Sequence, residues 1–407
     1  MNYSSTGVRL PADHGEALTD FTEGVFGYLP RADQRRWARA YLEGLLGVEG
    51  KKSLSLLARA APHAQARHGL QQFINGSPWD WRPGRDILAL TAHRMMPVRA
   101  WTAGILNIPK RGEHSVGVHR RFVPQLGRTV NCQVATGLFV SSEGASVPVD
   151  WSLYLDESWD SEEDRRRARI PDWATAKPLC MEVLDLTDRM LARTGTALPL
   201  VADLRVAWDV SHLAGQLTRR GVDFVFEVKP SQQVSTRART AGGEHTLTPV
   251  REVGAGEPQT RSTPDVPYVT SRSVRLPGAP GFANPLPEQT YRLLTLLAPG
   301  DGTPRRYWLT SMLDQPVDAI LSLARNSART HGAMAELEVD FGALDFEGRS
   351  FPGWHHHMTM VSTAYLYRNL LSGRGVQLLP EGQLHTGDFT ESRVSASTGV
   401  SAGHSRV

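Results

Sequence analysis

Hydrophobic residues recur at helical spacing through the first hundred residues. Within Asp33–Gly50, Trp37, Ala40, Tyr41 and Leu45 fall on one helix face. The aspartate that opens this segment is a candidate N-cap, and the glycine that closes it is a candidate stop. We predict that residues 1–30 form a loosely ordered lead-in and that residues 1–97 together form an N-terminal helical domain. Three further helical segments follow in this domain: Lys51–Ala61, Ala64–Ile74 and Arg85–Met96.

The pattern changes at Pro97 from helical spacing to runs of β-branched and aromatic residues. Strands are predicted first, and an alternation of helix and strand follows. Three antiparallel strands followed by helix–strand–helix–strand is the order expected of an RNase H-like α/β core. The predicted strands are Val98–Asn107, His114–Val123, Thr129–Val140 with Ala145–Leu155, Leu198–Val206 and Asp223–Lys229, and the predicted helices are Thr175–Thr194 and Ser211–Arg220.

A Pro-, Gly-, Ser- and Arg-rich segment interrupts this rhythm. A structureless stretch as long as 230–305 is unusual inside a compact domain, so we predict an insertion of short strands and loops. The core resumes over 306–372 with one strand and two helices, and the polar segment 373–407 predicts a mobile tail. The fold class is therefore α/β: an RNase H-like mixed sheet with flanking helices in 98–229 and 306–372, a helical domain before it and a β-rich insertion within it.

Composition excludes several classes of protein. The 407 residues are 40% hydrophobic and 21% charged, which is typical of a globular chain. Two cysteines are too few for a disulfide framework or a cysteine-rich zinc site. We find no signal-peptide pattern and no long uncharged apolar run, so we expect a cytoplasmic protein without a membrane partner. Only five of the 45 basic residues are lysines. Arginine suits phosphate recognition, although a codon bias gives the same composition.

Four blocks in a fixed order carry a family resemblance. They are KRGEHSVGVHRRF (Lys110–Phe122), GRTVNCQVATGLF (Gly127–Phe139), VAD (Val201–Asp203) and ALDFEGRSFPGWHHHMTMVSTAYLY (Ala343–Tyr367). Together with YLEGLLG and SPWDWR in the helical domain, they make residues 33–370 resemble the insertion-sequence transposases of the DDE type. The resemblance implies an RNase H-like fold. It also implies a centre in which three carboxylates hold two magnesium ions for phosphoryl transfer.

The resemblance also shows where this chain departs from the family. It puts the three carboxylate positions on Gly104, Asp203 and His331, and a family lysine on Glu338. A gapped alignment offers Glu336 or Glu338 as a third acid, but no acid lies near Gly104. A single aspartate with a neutral histidine lacks the charge to hold two magnesium ions. The resemblance therefore implies a disabled strand-transfer site with no metal cofactor.

The leading hypothesis is a transposase-derived DNA-binding protein, with a homodimer as an open possibility. The alternatives are an enzyme that acts on a small molecule, with Asp203, His331 and Glu338 as an acid/base set in the room left by Gly104, and an active transposase with a rearranged acid set. For the three histidines at 355–357 we favour packing over metal binding. The candidate phosphate contacts, each of which is otherwise a solvated cation, are Lys110, Arg111, Arg120 and Arg121 around the first hairpin and Arg36, Arg39, Lys51 and Lys52 on the helical domain.

Overall fold

The computed structural model describes residues 12–61, 66–123, 126–205, 209–237, 245–253, 268–278, 289–298 and 304–373. The predicted tail, apart from its first residue, lies outside these ranges. Helices fill the N-terminal part: α1 (Ala12–Phe26), α2 (Ala32–Gly47), α3 (Leu54–Ala60), α4 (Ala66–Gln71), a π turn (Gln72–Gly76) and α5 (Arg82–Met95).

Two details of the helical part differ from the sequence prediction. The predicted lead-in contains α1, whose Leu18, Val25 and Phe26 are buried. Leu18, Phe21 and Val25 recur at helical spacing, a signal that the sequence prediction missed. The N-cap of α2 is Arg31 and not Asp33, and Asp33 instead lies in the first turn, where its charge favours the helix dipole.

The central sheet has the strand order expected of an RNase H-like core. It contains β1 (Ala100–Pro109), β3 (Arg128–Ser141), β4 (Ser146–Leu153), β5 (Leu200–Asp203) and β6 (Phe224–Val228) in the spatial order β4-β3-β1-β5-β6. The pairs β1/β3 and β3/β4 are antiparallel, whereas β1/β5 and β5/β6 are parallel. A short strand, β2 (His119–Val123), pairs with the first residues of β3. This mixed sheet confirms the predicted fold class.

Helices cover the sheet. Between β4 and β6 lie α6 (Glu162–Ala168), α7 (Leu179–Thr194) and α8 (Val210–Arg219). After the insertion come α10 (Val317–Val339) and α11 (Phe351–Leu371). Helix α10 packs on β1, β4, β5 and β6, and α11 lies between β4 and α2. Because α11 is buried on almost every side, it forms the shared core of the helical part and the sheet.

The predicted insertion extends the central sheet. Its elements are β7 (Gln233–Arg237), β8 (His245–Pro249), α9 (Val250–Val253), β9 (Tyr268–Arg275), β10 (Thr290–Leu297) and β11 (Pro304–Thr310). Beyond β6 the order of strands continues β11-β10-β9-β7-β8 through antiparallel pairs. The eight-residue strand β10 was not predicted, because Pro- and Gly-rich segments surround it.

The three consecutive histidines of α11 pack inside the protein. His357 Nδ1 lies 2.9 Å from the Tyr41 hydroxyl, and its Nε2 lies 2.9 Å from the Gly342 carbonyl oxygen. His356 stacks on Trp79 with a centroid distance of 3.8 Å. Burial lowers the pKa of His356 and of His357 to about 4, and it lowers the pKa of His355 well below its ordinary value. The packing interpretation of these histidines is confirmed.

A buried ion cluster joins the helical part to the sheet. The guanidinium of Arg85 on α5 donates to Asp150 Oδ1 on β4 at 2.9 Å, and both side chains are 2% exposed. Arg189 and Arg193 on α7 donate to the other oxygen of Asp150 at 3.0 and 2.8 Å. Burial alone raises the pKa of Asp150, but the three neighbouring arginines outweigh it and hold that pKa far below its usual range. His355 Nδ1 accepts from Arg85 at 3.1 Å.

Candidate functional site

The first two family positions lie side by side on two parallel strands, Gly104 in the middle of β1 and Asp203 at the end of β5. Ala103 on β1 pairs with Ala202 on β5, so the next residues, Gly104 and Asp203, are neighbours. Thr102 contacts Thr330 of α10 through their hydroxyl oxygens at 2.5 Å. Because side chains alternate along a strand, position 104 shares this α10 face with Thr102.

Met334 of α10 covers Gly104. A Cβ atom at position 104 would lie 2.5 Å from the Met334 sulfur and 3.4 Å from the Thr330 methyl carbon. Met334 and Thr330 are themselves buried. The expectation that Gly104 leaves room for a small molecule is therefore wrong, since a packed thioether fills that space.

The Asp203 carboxylate is engaged by an arginine two residues further along the chain. Arg205 donates from Nε to Oδ1 at 2.9 Å and from a terminal nitrogen to Oδ2 at 2.6 Å, and its backbone N–H also donates to Oδ1 at 3.1 Å. Helix α8 is capped by Asp209, whose side chain accepts from the His212 amide at 2.9 Å. Asp203 therefore does not cap this helix.

His331 joins Asp203, whereas Glu338 lies further along α10. His331 Nε2 is 3.8 Å from Asp203 Oδ2, and 57% of the His331 side chain is exposed. Glu338 follows two helical turns later, about 10 Å along the axis, and is exposed. Glu336 lies 3.2 Å from Arg368 of α11. The structure thus brings together the positions 104, 203 and 331 but not the proposed set of Asp203, His331 and Glu338.

Two further charged residues complete the cluster, and sequence reasoning missed both. Glu227 on β6 is the register partner of Asp203, and its side chain is 2% exposed. Arg306 on β11 donates to Glu227 Oε1 at 2.9 Å, and a terminal nitrogen of Arg205 lies 3.5 Å from the same Oε1 atom. The signal in the sequence was the acid in the otherwise apolar run FVFEV, which marks a buried carboxylate that needs a partner.

These residues do not fit the pair of magnesium ions that the resemblance implies. Such a pair needs several carboxylate oxygens at one point. Here the first position has no side chain, Arg205 engages the second, and the third is an imidazole. Throughout the described ranges, no group of three or more His, Cys, Asp and Glu side chains is arranged to hold a metal ion.

A basic groove lies at the far end of β1. Gly104 and Lys110 are six residues apart, about 20 Å along a strand. The groove has a volume of about 370 Å³ and is lined by Lys110, Arg111, Arg120, Arg128 and Glu113 together with residues 129–131. Four cations thus face one acid. Sequence reasoning chose three of them and missed Arg128, although it directly follows Gly127 in a quoted block.

The predicted cations of the first hairpin are not equivalent. Lys110 donates to the Phe346 carbonyl at 2.7 Å, and burial lowers its pKa to about 8. Arg120 lines the groove, whereas Arg121 points to the opposite face of β2 because side chains alternate. A second hollow of about 240 Å³ shares Glu113 and Arg120 with the groove and adds His119 and Arg167.

The predicted cations of the helical part are widely engaged. Arg36 lies over the Trp37 ring at 4.9 Å, and Arg39 pairs with Glu43 at 2.8 Å. Lys51 lies 3.8 Å from Glu347. Lys52 is 4% exposed, and its amine donates to the Val48 carbonyl. The expectation that Lys52 presents its charge to DNA is therefore wrong.

Comparison with known proteins places the chain in a family. In the part of the chain that the structure describes, we find no helix with the length and hydropathy needed to cross a membrane. No curated protein matches the sequence. The model of one family, described as DDE superfamily endonuclease, matches residues 24–275. This match covers more than half of the chain and includes Gly104, Asp203 and the basic groove. The chain therefore belongs to the DDE superfamily endonucleases.

Proposed function

We propose that this chain is a DNA-binding member of its family whose metal-dependent strand-transfer centre is disabled. The observation that carries the proposal is the packing at Gly104. The first carboxylate position has no acid, and the Met334 sulfur occupies the space in which an aspartate side chain would begin. Arg205 supports the same conclusion, because its guanidinium donates to both carboxylate oxygens of Asp203. Asp203 is the one acid among the three family positions.

The basic groove supports a role in DNA binding that does not depend on catalysis. Three arginines and one lysine face a single carboxylate there, and arginine binds phosphate through two parallel hydrogen bonds. The groove lies about 20 Å along β1 from Gly104, so the loss of the acids leaves it unchanged. Phosphate contacts fix a protein on DNA but carry no sequence information, so this groove supplies affinity and not specificity.

The alternative functions receive less support. A small-molecule enzyme needs room beside Asp203, but Met334 and Arg205 fill the two nearest positions. An active transposase with rearranged acids needs Glu336 or Glu338 near Asp203. Instead, Glu336 pairs with Arg368, and Glu338 lies two turns from His331.

Fluorescence anisotropy with labelled duplex DNA, measured over a range of salt concentrations, tests the proposal. We expect binding that weakens steeply with salt, since each phosphate contact contributes a slope of about 0.9 in log K against log salt. Arg111→Ala, Arg120→Ala and Arg128→Ala should each reduce this slope by about 1. Addition of Mg²⁺ or Mn²⁺ should leave the DNA uncut.

Arg99→Ala is the matched control. Arg99 directly precedes β1, at the opposite end of the strand from Lys110, and 61% of its side chain is exposed. It should keep the wild-type salt slope. Absence of binding at low salt, or equal loss in the groove variants and the control, contradicts DNA binding through the groove. Metal-dependent cleavage by the wild type contradicts the disabled centre.

A further inference from the structure

Asp203 and Glu227 are two carboxylates that need a cation between them. They are register partners on the parallel strands β5 and β6, whose backbones lie about 4.8 Å apart. Both are shielded from water, with 17% and 2% of their side chains exposed. Like charges this close oppose each other's ionisation unless a positive group lies beside them.

Arg205 provides that positive group. Its fork holds both oxygens of Asp203 at 2.6 and 2.9 Å, and its remaining terminal nitrogen lies 3.5 Å from Glu227 Oε1. One guanidinium thus touches both carboxylates, as a bridging metal ion would.

Arg306 completes the charge balance. It donates to both oxygens of Glu227, with its Nε at 2.9 Å from Oε1, and its guanidinium lies 4.9 Å from the Trp308 ring centroid. Two carboxylates therefore face two guanidiniums. Burial raises the pKa of Asp203, but the hydrogen bonds and charge of Arg205 outweigh burial, so that pKa lies below its ordinary value. The carboxylate stays ionised with protein groups alone.

We propose that Arg205 is a resident cation that has replaced the divalent metal at Asp203. The centre then does not bind divalent ions, and it does not need them to keep its structure. This inference rests on the proposed loss of the strand-transfer centre but not on DNA binding. Its test accordingly uses no DNA.

The experiment titrates Mn²⁺ into the full chain and follows free Mn²⁺ by electron paramagnetic resonance. The wild type should show no saturable binding, and its melting temperature should be the same in EDTA and in millimolar Mn²⁺. Arg205→Met removes one positive charge from two carboxylates. It should melt a few degrees lower than the wild type in EDTA, show saturable Mn²⁺ binding, and recover part of the lost melting temperature in millimolar Mn²⁺.

Three variants locate the effect. Arg205→Lys keeps the charge but loses the fork, and it should still refuse Mn²⁺. Asp203→Asn combined with Arg205→Met should lose the gained binding. Arg99→Met is the surface control and should behave as the wild type. If Arg205→Met does not fold, Arg205→Gln, which still donates a hydrogen bond, carries the same expectation.

The outcomes separate the two proposals. Saturable Mn²⁺ binding by the wild type overturns the disabled centre and the resident cation together. In a second outcome, the wild type does not bind Mn²⁺ and the Arg205→Met variant folds. If this variant also does not bind Mn²⁺ and melts at the wild-type temperature, only the resident cation is overturned. Equal Mn²⁺ binding by Arg205→Lys and Arg205→Met overturns it as well.

Discussion

Two clusters of carboxylate, arginine and histidine lie on the same sheet, and they differ mainly in burial. In the cluster around Asp150, the paired Arg85 is 2% exposed. In the cluster around Asp203, the paired Arg205 is 50% exposed. The histidines follow the same division: His355 is buried against Arg85, whereas 57% of the His331 side chain faces water.

This difference in burial shows that similar carboxylate–arginine pairs have different structural roles. Asp150 receives arginines from α5 and α7, so it fastens the helical part and a covering helix to β4. Removing one partner there leaves uncompensated charge away from water. Asp203 is bound by an arginine from its own loop, so that pair fixes a local turn. Half of the Arg205 side chain is exposed, so removal of the Asp203 charge leaves the guanidinium in contact with water and costs less than removal of a partner of Asp150.

The largest expected difference between the clusters is in acid. Since burial lowers the pKa of His355, His356 and His357, the unfolded chain takes up more protons than the folded chain once the pH falls below about 6.5. Above that pH the three rings are neutral and the free energy of unfolding has its full value. It decreases as the pH falls toward 4. Their combined slope approaches about 4 kcal/mol per pH unit. Urea unfolding at several pH values measures it.

Arg99→Met is the control for this acid effect, because it removes an exposed arginine and leaves the three buried rings in place. We expect it to keep the wild-type dependence, whereas His357→Gln should flatten it. A free energy of unfolding that is constant from pH 7 to 5 contradicts the prediction.

The second prediction concerns Arg85→Met. It removes hydrogen bonds to Asp150, Thr359 and the Trp151 carbonyl, and it leaves Asp150 buried with less compensation. We expect a loss of about 3–5 kcal/mol in the free energy of unfolding, measured in urea at pH 7. Arg99→Met, which removes an exposed arginine, should change it by less than about 0.5 kcal/mol. A similar small change for both variants removes the distinction between the clusters.

The smallest expected effect is at Asp203→Asn. The amide keeps one acceptor for Arg205, and Arg205 still has Glu227 beside it. We expect the free energy of unfolding to fall by about 1 kcal/mol or less. The same urea titration measures it beside Asp150→Asn, which should cost at least about twice as much. Equal losses contradict the assignment of a local role to the Asp203 pair.

Much of the fold could be predicted because local pattern and tertiary position agree. The strands of the central sheet are apolar runs between turn residues, and their order along the chain specifies the RNase H-like order in space. Strand β10 could not be predicted in this way, because its apolar residues are enclosed by Pro- and Gly-rich segments and it takes its structure from pairing with β9 and β11. Helix α1 was missed although Leu18, Phe21 and Val25 recur at helical spacing.

The candidate site was predictable in its positions but not in its chemistry. The family blocks locate Gly104, Asp203 and His331, and the structure places them together. That Met334 covers Gly104, and that Glu227 lies beside Asp203, depends on helix rotation and strand register, which sequence spacing does not specify. Arg205 was the nearest signal, since an arginine two residues after a strand-end acid can reach back to it.

The packing at Gly104 makes evolutionary change at position 104 depend on position 334. One nucleotide change converts a glycine codon to an aspartate codon, but the new Cβ would meet the Met334 sulfur at 2.5 Å. An acid at position 104 therefore requires Met334 to change its rotamer or to be replaced, and Arg205 still binds the neighbouring carboxylate. The contact thus links positions 104 and 334, so substitutions at these two positions are expected to occur together.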